Sequence, residues 1–370
     1  MKPQARPQMK PQMKPPMKPQ ALAAAALVLL ALAWLLAPQA RLALLATWLA
    51  AWWFWTGIAL GSLANLCLHN LTGGTWGEAI RAPLLQAARR IWLAPPLFLP
   101  VLLGMNQLYP WAAQSVLGMA RFGELSAPAF KNAWLQPDFF ILRSLVYLLL
   151  WCLLAWLAQR PALQRSRLFS ALALIVYGLS ASLAAVDWIM SLMPLWYSSV
   201  FGWLLCTGQM LAGMALAVLR VSRRAPPLPP QGMADLGNLL LMYVLTWAYL
   251  AFTQFLIIWA ADLPHEIAWY LPRAHPAWLA VSWLLALFHF FVPLLVLLSR
   301  QAKRRALSMG RLAALLLCMH GLDIWWLILP SVQADQRLWL WTAPLCALAL
   351  TAVLLPFFPP PGEVPELSHA

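Results

Sequence analysis

The residues of this chain that could do chemistry are histidines and carboxylates set in apolar sequence. His289 stands in LFHFFVPLL and His320 in CMHGLD, each near the middle of a hydrophobic run, and Asp323 follows His320 by three residues. That spacing puts His320 and Asp323 on one helix face, where they can share a proton or a hydrogen bond. Ionisable side chains in membrane sequence are costly and mark proton or substrate pathways. Two membrane histidines are also what a b-type haem takes as axial ligands, but no further haem-specific pattern accompanies them. Asp187, in AAVDWIMSLMP, is the one acidic or basic residue between Leu168 and Leu219. Asp262, His265 and Glu266 have the donor types of a metal site, at spacings of three and four from the aspartate. Pro264 interrupts their helix, which points to a solvated loop or the mouth of a proton path. Finally, His69 opens HNLTGGTWGEAIR, where Gly73, Gly74 and Gly77 permit a tight turn crowded by Asn70, Glu78 and Arg81. The turn lacks the lysine of a phosphate-binding loop, so nucleotide binding is not expected.

Elements able to position these groups are long apolar helices. Of 370 residues, 63% are hydrophobic and 10% charged, and apolar runs repeatedly exceed the 18 or so residues that suggest a membrane span. The sequence predicts an all-α integral membrane protein with about ten transmembrane helices: 21–37, 42–68, 91–118, 138–158, 168–189, 198–220, 236–260, 276–298, 307–330 and 338–358. Residues 1–20, a Met-Lys-Pro-Gln repeat, cannot bury a core and are expected to be a disordered basic tail. The five cysteines (67, 152, 206, 318 and 346) sit singly in apolar runs without C-x-x-C spacing, so no iron–sulfur or zinc site is encoded locally.

A net charge of +14 would suggest nucleic acid in a soluble chain. Here the cations lie in short loops between apolar runs and form no single face, which argues against nucleic acid. Nineteen of the 25 Lys and Arg residues fall in the N-terminal tail and the 69–90, 159–167, 220–235 and 299–311 loops, and six on the alternate side. That imbalance predicts both termini in the cytoplasm. The outer face carries Glu124, Asp138, Asp262, Glu266 and Asp335, with Asp187 close to it, and many tryptophans suited to the lipid interface.

Four stretches carry a family resemblance: HNLTGGTWG, the YGLSAS and AVDWIMSLMPLWYSSVFG pair, DLGNLLLMYVLTWAYLAFTQFLIIWAADLPHE, and HFFVPLLVLLSR. Together they resemble the NrfD-like (polysulfide-reductase C-type) membrane subunits, most closely the ActF-type subunits of Alternative Complex III. The likeness runs from about residue 40 to residue 330 and leaves out the N-terminal repeat and the PPPGEVPELSHA tail over 359–370. It implies two four-helix bundles, 42–189 and 198–330, flanked by helices 21–37 and 338–358. It further implies a subunit of a respiratory quinol:electron acceptor oxidoreductase in the bacterial inner membrane. This subunit would hold no covalently bound cofactor and would contribute to proton translocation, a quinone or quinol niche, or both, beside a sister subunit that resembles the principal quinol site. Partners would be an NrfD-like sister subunit, an iron–sulfur protein and a multihaem cytochrome c. His69, Asp187, Asp262, His265, Glu266 and His289 fall in family-like stretches. With His320 and Asp323 they form the candidate proton-relay or quinone-niche set, Asp187 on the outer side. The alternatives are the anchor of another NrfD-type molybdenum–iron–sulfur reductase, or a secondary transporter. A transporter would carry an inverted repeat with interrupted helices, and none is visible.

Overall fold

A computed structural model gives the architecture and describes residues 19–113 and 133–354. The repeat up to residue 18, the outer loop with Glu124, and the 359–370 tail lie outside the described residues. Among the described residues the chain is all-helical. Eight helices among these residues are long and apolar enough to cross a membrane by length and composition, so the chain is a multi-pass membrane protein.

Among the described residues eleven longer helices carry the architecture. They are α1 (Pro19–Leu36), α2 (Arg41–Thr72), α3 (Thr75–Ala88), α4 (Ala94–Leu103), α5 (Pro137–Leu157) and α6 (Arg167–Trp188). Then come α7 (Phe201–Val221), α8 (Pro230–Ala261), α9 (Pro276–Leu298), α10 (Ala306–Ile328) and α11 (Gln336–Leu354). Two differences from the sequence expectation have local causes. Helix α1 begins at Pro19, two residues inside the expected tail, since proline is tolerated in a first helical turn. The expected continuous span 91–118 is instead the ten-residue α4 followed by a short turn of helix at Met105–Leu108. Pro95 and Pro96 open α4, Pro100 lies inside it, and Gly104 ends it.

The core is built on α2 and α7, which are mostly buried and surrounded by the other helices. Small residues let the two backbones touch. A methyl group on Gly61 would meet the Gln209 carbonyl oxygen at 1.8 Å, and one on Gly213 would meet the Ser62 nitrogen at 2.5 Å. In lipid, where tails are as apolar as leucine, such close small-residue packing drives helix association. Gly57 also lies against Gln209, so contacts advance together along both helices and the pair runs parallel. Asn65 joins them by donating to both the Gly61 and Met210 carbonyls at 2.8 Å, and it accepts from Tyr243 of α8 at 2.6 Å.

Helix α9 carries a π-helical segment, Leu285–Phe291, that contains His289. Pro293, just beyond it, cannot donate to the ladder, and a widened turn is one way to accommodate the change. Such π segments occur disproportionately at functional sites.

Candidate functional site

Four buried polar or charged side chains meet where α8, α9 and α10 pack: Trp247, His289, His320 and Asp323. His320 and Asp323 share the inward face of α10, as their spacing requires, but they do not hydrogen-bond to each other. Instead the Trp247 indole N–H donates to Asp323 Oδ2 at 3.1 Å. The same indole packs against the His289 ring at 4.2 Å between centroids, and the two imidazoles lie 6.4 Å apart. None of their four ring nitrogens has a hydrogen-bond partner among the described residues, although both rings are sealed from solvent. Such orphaned groups are uncommon in proteins, and each costs about 1–3 kcal/mol of desolvation. Gly208 of α7 gives His320 its place, because a methyl there would reach the ring at 2.7 Å.

On the other side of Trp247 is a cavity of about 770 Å³ between α8, α9 and α10, with Asp323 in its wall. Its lining is mainly aromatic and aliphatic, and its other polar groups include Arg273, Ser282 and Tyr270. Tyr249, Phe252 and Phe291 belong to the lining and are more than half exposed, so the cavity opens toward the surface that faces lipid. Among the described residues Asp323 Oδ1 accepts no hydrogen bond, and the fully buried Arg273 has no carboxylate partner. Its guanidinium donates to the Trp269 carbonyl at 2.6 Å, the Leu327 carbonyl at 2.7 Å, the Trp326 carbonyl at 3.2 Å and Ser331 Oγ at 2.9 Å. It also sits 3.4 Å above the Trp269 ring, so carbonyls at the C-terminal end of α10 and a π face replace an acid as its counter-charge. Four of its five N–H groups are used, and one on Nη1 remains. Leu327 follows Asp323 by one turn, so acid and cation are offset by about 6 Å along α10. Tyr270 lies in the loop before α9, and burial pushes its hydroxyl above the ordinary value.

Asp187 is placed very differently. It is fully buried and both oxygens are saturated: Oδ1 by Trp134 Nε1 at 2.7 Å and Arg143 Nη2 at 3.0 Å, Oδ2 by Arg143 Nε at 2.8 Å and Tyr147 at 3.0 Å. The next residue, Trp188, is the hub of an aromatic core with Trp52, Phe98, Tyr147 and Trp151. This carboxylate has no lone pair left for a ligand or a mobile proton, and its geometry is that of a clamp between α5 and α6.

His69 serves the turn after α2. Its Nε2 pairs with the Gly74 carbonyl at 2.9 Å, while Gly73 and Gly74 hold positive φ angles of 72° and 97°. A methyl on Gly77 would lie 1.9 Å from its ring, so only glycine fits beneath it. Beside it Asn70 donates to the Gln164 carbonyl and accepts from Arg81. Phe54, the α2 residue against His320, is fifteen residues earlier, so His69 lies about 22 Å along the helix from the histidine pair.

Asp262 ends α8 in a left-handed conformation (φ 50°), and His265 beside it is exposed, its ring stacked on Tyr197. Neither lines the cavity, nor does the part-buried Glu266. Among the described residues no three His, Cys, Asp or Glu side chains are grouped to hold a metal ion.

Sequence reasoning missed Trp247, Arg143 and Arg273. Arg143 left a readable signal, since it is the one cation inside the predicted span 138–158 and such a charge needs an opposite partner. Trp247 left none, being one of 23 tryptophans. Comparison with protein-family models and with curated proteins finds no match for this chain.

Proposed function

We propose that this chain is a redox-cofactor-free membrane subunit of a respiratory quinol:electron acceptor oxidoreductase, of the NrfD-like and ActF type, and that the cavity between α8, α9 and α10 is its quinol niche. The observation that carries the reading is the cavity itself. It is mainly apolar and of ligand size, opens sideways toward lipid, and presents one acceptor (Asp323 Oδ1) and one spare donor (an Arg273 N–H). A quinol is an apolar ring with oxygens on opposite sides and a lipid-soluble tail. One ring hydroxyl donates to Asp323, the other oxygen accepts from Arg273, and the tail leaves between α8 and α9. Oxidation to the quinone releases two protons: Asp323 takes the proton of the hydroxyl it binds, with the histidine pair behind Trp247 as its next acceptor, and the proton of the second hydroxyl passes to solvent. Electrons leave through redox centres of partner subunits, an iron–sulfur protein and a multihaem cytochrome c. The ten-helix arrangement with two four-helix bundles, the bacterial inner membrane and cytoplasmic termini belong to the same reading, supported by the sequence resemblance and the charge imbalance between loops.

Mild-detergent purification from native membranes followed by mass spectrometry tests the assembly. Co-purification of a multihaem cytochrome and an iron–sulfur protein is expected. A chain that purifies alone and transports a solute would overturn it.

A further inference from the structure

One surface has no part in the quinol niche and is set apart by charge. The segment after α7 (Arg220, Arg223, Arg224) and the segment joining α9 to α10 (Arg300, Lys303, Arg304, Arg305, then Arg311) lie side by side. A methyl on Gly310 would come within 2.5 Å of the Ser222 hydroxyl, and one on Gly237 within 2.9 Å of Lys303 Cδ. Lys303 is further held to Asn238 of α8 at 2.6 Å. The arginines at 223, 224, 300, 304, 305 and 311 are all exposed and make no ion pair among the described residues. Only one acid, Asp235, occurs in the 220–235 and 299–311 segments, and it accepts from Gln231. Folding therefore concentrates like charges here with a single acid among them, which disfavours the compact state unless an anion joins them.

The neighbouring side chains identify the kind of anion. Leu295, Leu298 and Leu307 are 67%, 60% and 67% exposed, and Leu298 and Leu307 lie within two residues of Arg300 and Arg305. Cations thus alternate with lipid-facing leucines at one membrane boundary, which suits an amphiphile with an anionic head and apolar chains better than a soluble acidic protein. Two arginine pairs, Arg223–Arg224 and Arg304–Arg305, come from the two apposed segments. Each can fork onto phosphate oxygens. We infer that this face is a specific site for an anionic phospholipid whose headgroup carries two phosphates, one per arginine pair. It is independent of the quinol niche.

The test is native mass spectrometry of the purified full chain, or of its complex, after incubation with diphosphatidylglycerol, phosphatidylglycerol and phosphatidylcholine. Wild type is expected to retain the two-phosphate lipid about tenfold more than phosphatidylcholine and measurably more than phosphatidylglycerol. The variant R223K/R224K/R304K/R305K keeps every positive charge, and so the membrane orientation, but loses the planar fork. It should lose the preference for two phosphates over one while still favouring anionic lipid. The corresponding Gln variant should lose both. Equal retention of the two anionic lipids by wild type, or an unchanged preference in the Lys variant, would overturn the assignment.

Discussion

Asp187 and Asp323 are both sealed from solvent, yet one carboxylate accepts four hydrogen bonds and the other accepts one. The arginines show the same contrast. Arg143 meets its acid bidentately, while Arg273 is held by carbonyls and an aromatic face and shares a cavity wall with Asp323. Around Asp187 indoles and phenyl rings fill the space, whereas around Asp323 about 770 Å³ is left open and two imidazoles have no hydrogen-bond partner among the described residues. One region spends its polar groups on holding helices together. The other keeps its polar valences free, at a cost in stability, and free valences in an apolar cavity are what a ligand site requires.

The comparison breaks most sharply at the ion pair. Arg143→Leu strands a buried carboxylate and should destabilise the fold by about 3–5 kcal/mol. Arg143→Leu with Asp187→Leu should recover much of that loss, since replacing both partners by apolar groups is often nearly neutral. Thermal unfolding in detergent measures both, and equal damage in single and double variants would show that the clamp is not the source of stability. Asp323→Asn is the counterpart. The amide oxygen still accepts from Trp247, so stability should change by less than about 1 kcal/mol, but the charged acceptor is gone. Losing a hydrogen bond to a charged group is worth about 1.5–3 kcal/mol, hence roughly a 10- to 100-fold loss of quinol-analogue affinity or turnover. Unchanged analogue binding would remove Asp323 from the niche.

The asymmetry between the acids was only half visible in the sequence. Helix positions followed from hydropathy, because lipid leaves a chain few ways to satisfy its backbone. The span 91–118, broken over its described residues, held its own warning in Pro95, Pro96 and Pro100. His320 and Asp323 could be set on one face by counting residues. What lies between helices could not. That Trp247 of α8 meets Asp323 of α10 is a tertiary fact with a separation of 76 residues. The cavity is an absence of side chains, which no local pattern spells. Asp187 stands out in the sequence as a lone acid among apolar residues, and nothing in its own helix shows that Arg143 is its partner.

His289 sharpens the contrast in the opposite direction from Arg143. Both of its ring nitrogens are buried without a hydrogen-bond partner among the described residues, so His289→Leu removes two orphaned polar atoms and replaces them with apolar volume. Stability should hold or rise, by up to about 1 kcal/mol, while proton-coupled turnover falls. A marked loss of stability would mean that the imidazole has a structural partner after all.

The smallest effect lies at the surface, where the same pairing as at Asp187 is made in water. Arg165 donates to both oxygens of Glu78, at 2.8 and 3.1 Å, but the side chains are 64% and 49% exposed. The hydrogen bond from Arg165 holds the Glu78 carboxyl below its ordinary value of 4.5, with the Arg165 charge adding to it. A carboxyl depressed in the folded state binds fewer protons than in the unfolded state. The stability it supplies is therefore present above pH 4.5 and is lost as pH falls through the folded value. Solvent screening keeps that contribution below about 1 kcal/mol. Glu78→Gln should flatten this acid limb of the unfolding profile and leave stability at pH 7 lower by the same small amount. Salt should erase the difference between the two proteins, as it would not for Arg143→Leu, because solvent-exposed pairs are screened and buried ones much less.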